Sequence, residues 1–193
     1  MNEIVELVQQ WSRNKGLDKA DSRGQFLKVV EEAGEVAAAL CRSDIDALKD
    51  GLGDIVVTLI IYAQQNELKL DLNDVPTSFI VDQTSENSRL MSLILLSVVG
   101  IIGKKRNALY CDIVDCCCYL NIMASKHNLT LNECLQAAYD EISGRTGKMV
   151  NGIFVKSEDL PKPEYNQDVW AQVKADGAFA GYKVYKGKQG KLT

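Results

Sequence analysis

Five carboxylates in two short stretches are the side chains of this sequence best placed to do chemistry. In VVEEAGEVAAAL, Glu31 and Glu35 stand at i,i+4 and Glu32 and Glu35 at i,i+3, so like charges stack along one helix edge where a stable surface alternates signs. On the same wheel Phe26, Val29, Val30, Ala33, Val36, Ala37 and Leu40 form an apolar face, and Lys28 falls among the acids. In DGLGDIVVTLIIYA, Asp50 and Asp54 share a face with Val57 and Ile61, and Ile55 to Ile61 is apolar nearly all round, the pattern of a buried helix. Carboxylates there must be paired, protonated or bound to a cation, and only Lys28 and Lys49 lie close in register. Mg²⁺ meets that need, because it takes carboxylate oxygens, keeps several waters and leaves sites for phosphates. The alternative is a protonated or hydrogen-bonded structural pair.

The elements that must position these acids are helices. Apolar residues recur at helical spacing through most of the first 145 positions. The pattern predicts helices over about Asn2 to Asn14, Ser22 to Cys41, Ile45 to Gln65, Glu86 to Gly103, Ala108 to Lys126 and Leu131 to Ser143, with Gly16, Ser43 and Pro76 as punctuation. Thr130 followed by Glu133 predicts a capping box on the last of them.

Shifting the chain by 61 residues aligns Ala47–Leu70 with Ala108–Leu131 without gaps. Ala47, Leu48, Asp54, Leu59, Ile61, Ala63, Leu68 and Leu70 match identical residues. The same register sets Glu31, Glu32 and Glu35 opposite Ser92, Leu93 and Leu96, so the second copy keeps the apolar pattern and loses the acids. A more deeply buried second helix is the plain explanation of those leucines. Asp112 and Asp115 read as a vestige of the second acidic motif, or as donors completing the site from across the bundle. The expected architecture is all-α: a helical bundle from a tandem degenerate repeat, with the active repeat over about 1–75 and the degenerate one over about 84–143. A small β-hairpin-like appendage follows. In GRTGKMVNGIFVK, Asn151-Gly152 between short apolar runs is a hairpin signal. The helical domain is expected over 1–156, and 157–193 as linker and tail. The end of the tail, with four lysines and no acid from Gly177 onward, reads as a solvated hairpin or as a flap over a phosphorylated ligand.

Composition narrows the function. The chain has 193 residues, 46% hydrophobic and 25% charged, enough for a real core. A net charge of −4 argues against nucleic acid as the main partner. No basic region precedes an apolar run at the N-terminus, and no apolar stretch reads as a bilayer span, so a cytoplasmic protein with no membrane partner is expected. Six cysteines, three of them consecutive at Cys116 to Cys118 on a helix, read as free thiols; with His127 as the single histidine, a zinc site is not expected.

Glu31-Glu32-x-x-Glu35 followed by Asp50-Gly51-Leu52-Gly53-Asp54 resembles the E-E-x-x-E and E-x-x-D motifs of the MazG-like all-α nucleoside triphosphate pyrophosphohydrolase superfamily, which includes dimeric dUTPases. DEISGRTGKMVNGIFVK is similar to the end of short phage-type members. The resemblance implies Mg²⁺, with Mn²⁺ as a substitute, and hydrolysis of a nucleoside triphosphate to the monophosphate and pyrophosphate. It implies Glu31, Glu32, Glu35 and Asp54 as catalytic, with Glu32, Glu35 and Asp54 as metal ligands and Glu31 as a ligand or the residue orienting water. The sequence departs from the motif at Gly51, where a glutamate should stand, and Asp50 is the substitute ligand. A triphosphate would be repelled by these acids without the metal, and further cations should hold its phosphates. Lys28, Arg145 and Lys148 are the candidates, whereas Lys104, Lys105 and Arg106 read as a solvated loop. Trp11 is a candidate to stack on the base, or a core residue. A second copy of the chain is a candidate partner. The alternatives to an enzyme are a catalytically degenerate nucleotide-binding module and a helical interaction protein.

Overall fold

The computed structural model describes residues 1–75, 86–102, 106–150, 153–158, 160, 184–186 and 190–192. The chain divides into two compact units, Met1–Asp159 and Leu160–Thr193. Among the described residues the first unit holds six α-helices and one hairpin: α1 (Asn2–Lys15), α2 (Ser22–Arg42), α3 (Ile45–Gln65), α4 (Asn87–Ile101), α5 (Arg106–Lys126), α6 (Leu131–Ser143), β1 (Gly147–Val150) and β2 (Ile153–Lys156). The second unit holds the antiparallel pair β3 (Val184–Lys186) and β4 (Gly190–Leu192), with Tyr185 opposite Lys191. The expected all-α fold with a small β appendage is therefore the observed one. Pro76, the Asn151-Gly152 turn, Lys104 and Lys105 lie outside the described residues.

Local chemistry sets the helix ends. Gly16 and Ser43 close α1 and α2 in the left-handed conformation, at φ 74° and 54°. Asp21 and Asp44 cap α2 and α3, accepting from the backbone N–H groups of Arg23 at 2.9 Å and Ala47 at 3.0 Å. The expected box on α6 is present: the Glu133 N–H donates to Thr130 Oγ1 at 3.2 Å, and the Thr130 N–H donates to Glu133 Oε2 at 3.1 Å.

Helix α3 is the centre of the first unit, touching α1, α2, α5 and α6, and it is buried almost without a break from Leu48 to Ala63. Helices α3 and α5 leave through the same turn, with Glu67 and Asn128 left-handed at φ 56° and 59°. The following leucines, Leu68 and Leu129, donate back to Ala63 and Ala124, each at 2.9 Å. Leu96, which the 61-residue shift sets opposite Glu35, is 68% exposed, so burial does not account for the leucine there. Val30 also departs from its expected place on the apolar face: it is 43% exposed. The buried stripe of α2 runs through Gln25, Val29, Glu32, Ala33, Val36 and Ala39, rotated away from Val30 so that one carboxylate enters the interior.

Helix α5 corrects the expectation about membrane spans, because its 21 residues are long and apolar enough to cross a bilayer by length and composition. In this fold it packs on α3, α4 and α6, burying Leu109, Ile113, Leu120 and Met123 together with Cys116, Cys117 and Cys118. All six cysteines are free thiols, and burial pushes Cys117 up to about 12, far from the reactive thiolate range.

Candidate functional site

Small residues on α3 bring the site together. A Cβ at Gly51 would stand 3.0 Å from Val36 Cγ2 and 3.4 Å from the Val36 nitrogen, so α2 lies tight against α3 at this point. A Cβ at Gly53 would collide with the Cys134 carbonyl and meet Ala138, so α6 packs just as closely on another face. Deeper in the α2–α3 seam, buried Gln25 donates to the Thr58 carbonyl at 3.2 Å. An open cavity of about 380 Å³ lies where these helices meet, close to the size of small-ligand sites.

The acidic wall of the cavity carries Glu31, Glu32 and Glu35 from α2 and Asp50 and Asp54 from α3. All five acids proposed from sequence are thus gathered at one place. Gly51 faces α2 rather than the cavity, so a glutamate there would have to displace Val36, while Asp50, one residue back, lines the cavity with Asp54. Neither Asp112 nor Asp115 is part of this wall; the Asp112 carboxylate lies against Gly100 on α4, where a Cβ would sit 3.0 Å away.

The charges on this wall are not balanced. Lys28 Nζ bonds Glu31 at 2.6 Å and pairs with Glu32 at 3.3 Å. Burial still outweighs the lysine at Glu32, and with repulsion from Glu35 it raises the carboxyl above its usual range. Asp54 is pushed up to about 7, first by burial and then by Glu32 and Asp50, with Arg145 opposing. Asp50 is raised by burial and by the neighbouring Glu141. Burial pulls the Lys28 ammonium down, but its bonds to Glu31 and Glu32 leave it raised overall.

The lining also carries cations. Arg145, just past α6, and Lys156, on β2, both line the cavity. Lys148 does not: it is exposed on β1. The hairpin register explains this, since Lys148 pairs with Val155 and Gly147 with Lys156, so Lys148 and Lys156 project from opposite faces. Trp11 lines one end and meets Phe154 edge to face, the ring centroids 5.8 Å apart and the planes at 69°. Glu141, Phe154 and Lys156 were not singled out from sequence, although period-two alternation on either side of Asn151-Gly152 could have separated Lys156 from Lys148.

Among the described residues no three acids, cysteines or histidines are drawn close enough to enclose a cation as the side chains stand. The donor set nevertheless fits Mg²⁺ in kind. It consists of hard carboxylate oxygens with excess negative charge, and Mg²⁺ typically uses one or two carboxylates beside phosphates and water rather than an all-protein cage.

Comparison with known proteins agrees with this arrangement. Residues 24–81 match the family model of the MazG nucleotide pyrophosphohydrolase domain. The MazG match contains both acidic motifs, so the resemblance read from the glutamates and aspartates is borne out there. It points to a hydrolase acting on nucleotides. The chain is also 26% identical over 158 residues to an uncharacterized 18.2 kDa protein in the rep-hol intergenic region of Haemophilus phage HP1, covering 72% of this chain and 97% of that protein. That alignment reaches well beyond the MazG match. No solved structure matches the chain significantly.

Proposed function

We propose that this protein is a Mg²⁺-dependent nucleotide pyrophosphohydrolase that converts a nucleoside triphosphate, in particular a deoxynucleoside triphosphate, to its monophosphate and pyrophosphate, in nucleotide-pool control or clearance. One observation carries the reading: a single cavity sets five carboxylates of the MazG-matching segment against Arg145 and Lys156, with an aromatic end at Trp11 and Phe154. The charged walls suit a polyphosphate, and the aromatic end suits a nucleoside.

Glu32, Glu35, Asp50 and Asp54 would hold Mg²⁺, or Mn²⁺ in its place, which when bound neutralises phosphate charge and acidifies a water. Glu31, which is exposed, would orient the attacking water and take its proton. Lys28, already shared between Glu31 and Glu32, can turn to a phosphate oxygen once those acids have another cation. Arg145 offers a planar fork of donors to the departing pyrophosphate, and Lys156 a second point charge. Asp50 takes the role that a glutamate at Gly51 would have had.

The test is pyrophosphate release from the eight common ribo- and deoxynucleoside triphosphates, with and without Mg²⁺. Metal-dependent release from at least one is expected. A nucleotide that raises the melting temperature with Mg²⁺ but yields no pyrophosphate would reduce the protein to a binding module, the reading that the missing glutamate at Gly51 favours. No response of either kind would remove both.

A further inference from the structure

Arg145 is held from both ends. Its N–H donates to the Ile142 carbonyl at 2.9 Å, and its own carbonyl accepts from Lys15 Nζ, also at 2.9 Å. The same Lys15 ammonium lies 5.8 Å from the centre of the Phe154 ring. At the other end the guanidinium donates to Glu141, one turn back on α6. Both side chains line the cavity, Glu141 is also hydrogen-bonded to Asp50, and the charge of Arg145 reaches Asp50 and Asp54.

A mobile arginine facing a wall of carboxylates would pair with the nearest of them. It would then cover Asp50 and Asp54, the donors required for a cation, and bring its own charge away from the incoming phosphates. Glu141, on the last turn of α6 and four residues before Arg145, competes for the guanidinium. One bond to Glu141 leaves other N–H donors of the fork free.

We propose that Glu141 is a positioning residue, which takes up the Arg145 guanidinium beside Asp50 so that its free donors meet the terminal phosphates of the substrate instead of pairing with Asp50 and Asp54. The proposal rests on the reading of the cavity as a triphosphate site. It assigns Glu141 no contact with the reacting atoms, in contrast to Glu31, Glu32, Glu35, Asp50 and Asp54.

The experiment compares Glu141→Ala, Glu141→Gln, Arg145→Ala and the Glu141→Ala/Arg145→Ala double variant. Two readouts are taken: steady-state pyrophosphate release, and calorimetric binding of inorganic tripolyphosphate in Mg²⁺ buffer, which needs no turnover. Glu141→Ala is expected to raise KM and weaken tripolyphosphate binding by about tenfold while kcat stays within about twofold. Glu141→Gln, whose amide oxygen still accepts from Arg145, should recover most of the loss. The double variant should be no weaker than Arg145→Ala alone, because the tether has nothing left to hold. Additive losses, a Glu141→Gln variant as impaired as the alanine with a raised Mg²⁺ requirement, or a wild type that binds no tripolyphosphate would each overturn it. If the wild type binds tripolyphosphate but releases pyrophosphate from no nucleotide, the proposed activity fails and the binding cycle still decides the role of Glu141.

Discussion

Gly53 on α3 lies directly under the carbonyl of Cys134 on α6, with no room between them for a methyl group. This contact fixes how closely the helix carrying Glu141 and leading to Arg145 approaches the aspartates. Gly53→Ala should therefore act on both stability and function. Overpacking at such a seam costs about 1–3 kcal/mol, although alanine's helix propensity returns up to ~1 kcal/mol. Urea unfolding should show the net loss, and pyrophosphate release at a temperature where the variant is fully folded should still fall several-fold. Normal kinetics in a folded variant would show that α6 does not need this approach.

Gly51 is tight in a different way. Its missing side chain lets α2 approach, and the nearest atom to a Cβ there is the flexible Val36 Cγ2 at 3.0 Å, with the Val36 nitrogen behind it at 3.4 Å. Placing the glutamate of the MazG motif here by Gly51→Glu should destabilise the protein by about 1–3 kcal/mol and should not raise turnover, because Asp50 already lines the cavity. Adding Val36→Ala should recover part of the stability by vacating that methyl position. An active, stable single variant would mean that the sequence lost a working ligand rather than replaced it.

What could be read from the sequence was local. The helix ends at Gly16, Ser43 and Thr130 depend on neighbours within a few residues, and so does the convergence of Glu31, Glu32 and Glu35 on one edge. Asp50 and Asp54 could be placed because a helix apolar all round leaves few directions for a carboxylate. Glu141 could not, since four residues before an arginine it reads as an ordinary surface pair, and only the Gly53–Cys134 approach turns it toward the acids. The choice between Lys148 and Lys156 depends on which hairpin face meets the bundle, which the Trp11–Phe154 contact settles. Val30 was misplaced because a helix wheel weighs hydrophobicity alone, while the cavity requires Glu32 to take an interior position.

The two hairpin lysines can be separated by experiment. Lys156 lines the cavity and its charge reaches Glu141, whereas Lys148 is exposed on the other face of the strand pair. Lys156→Ala should raise KM for the triphosphate about three- to tenfold, and Lys148→Ala should leave KM within error. Melting temperatures of both should stay close to wild type, because an exposed or rim lysine contributes little to stability. Equal effects on KM would mean that the hairpin turns its other face to the substrate.

The pH dependence of stability follows from Asp54. Its carboxyl is pushed up to about 7 in the folded protein by burial, then by Glu32 and Asp50, against 3.8 for a free aspartate. The folded state therefore keeps a proton that the unfolded chain has already released. This contribution to stability is fully present below pH ~4 and is lost as pH rises through about 7. Glu32 and Asp50 are shifted in the same direction. In EDTA the wild type should melt at progressively lower temperature from pH 5 to pH 8, and Asp54→Asn, which cannot ionise, should fall less. The gap between the two should thus widen with pH, although the variant loses turnover. At pH 8, Mg²⁺ should raise the melting temperature of the wild type more than that of Asp54→Asn, since the cation takes the place of the missing proton. A gap that stays constant from pH 5 to pH 8 would show that Asp54 ionises freely and that the acidic wall carries no excess charge for a metal to relieve.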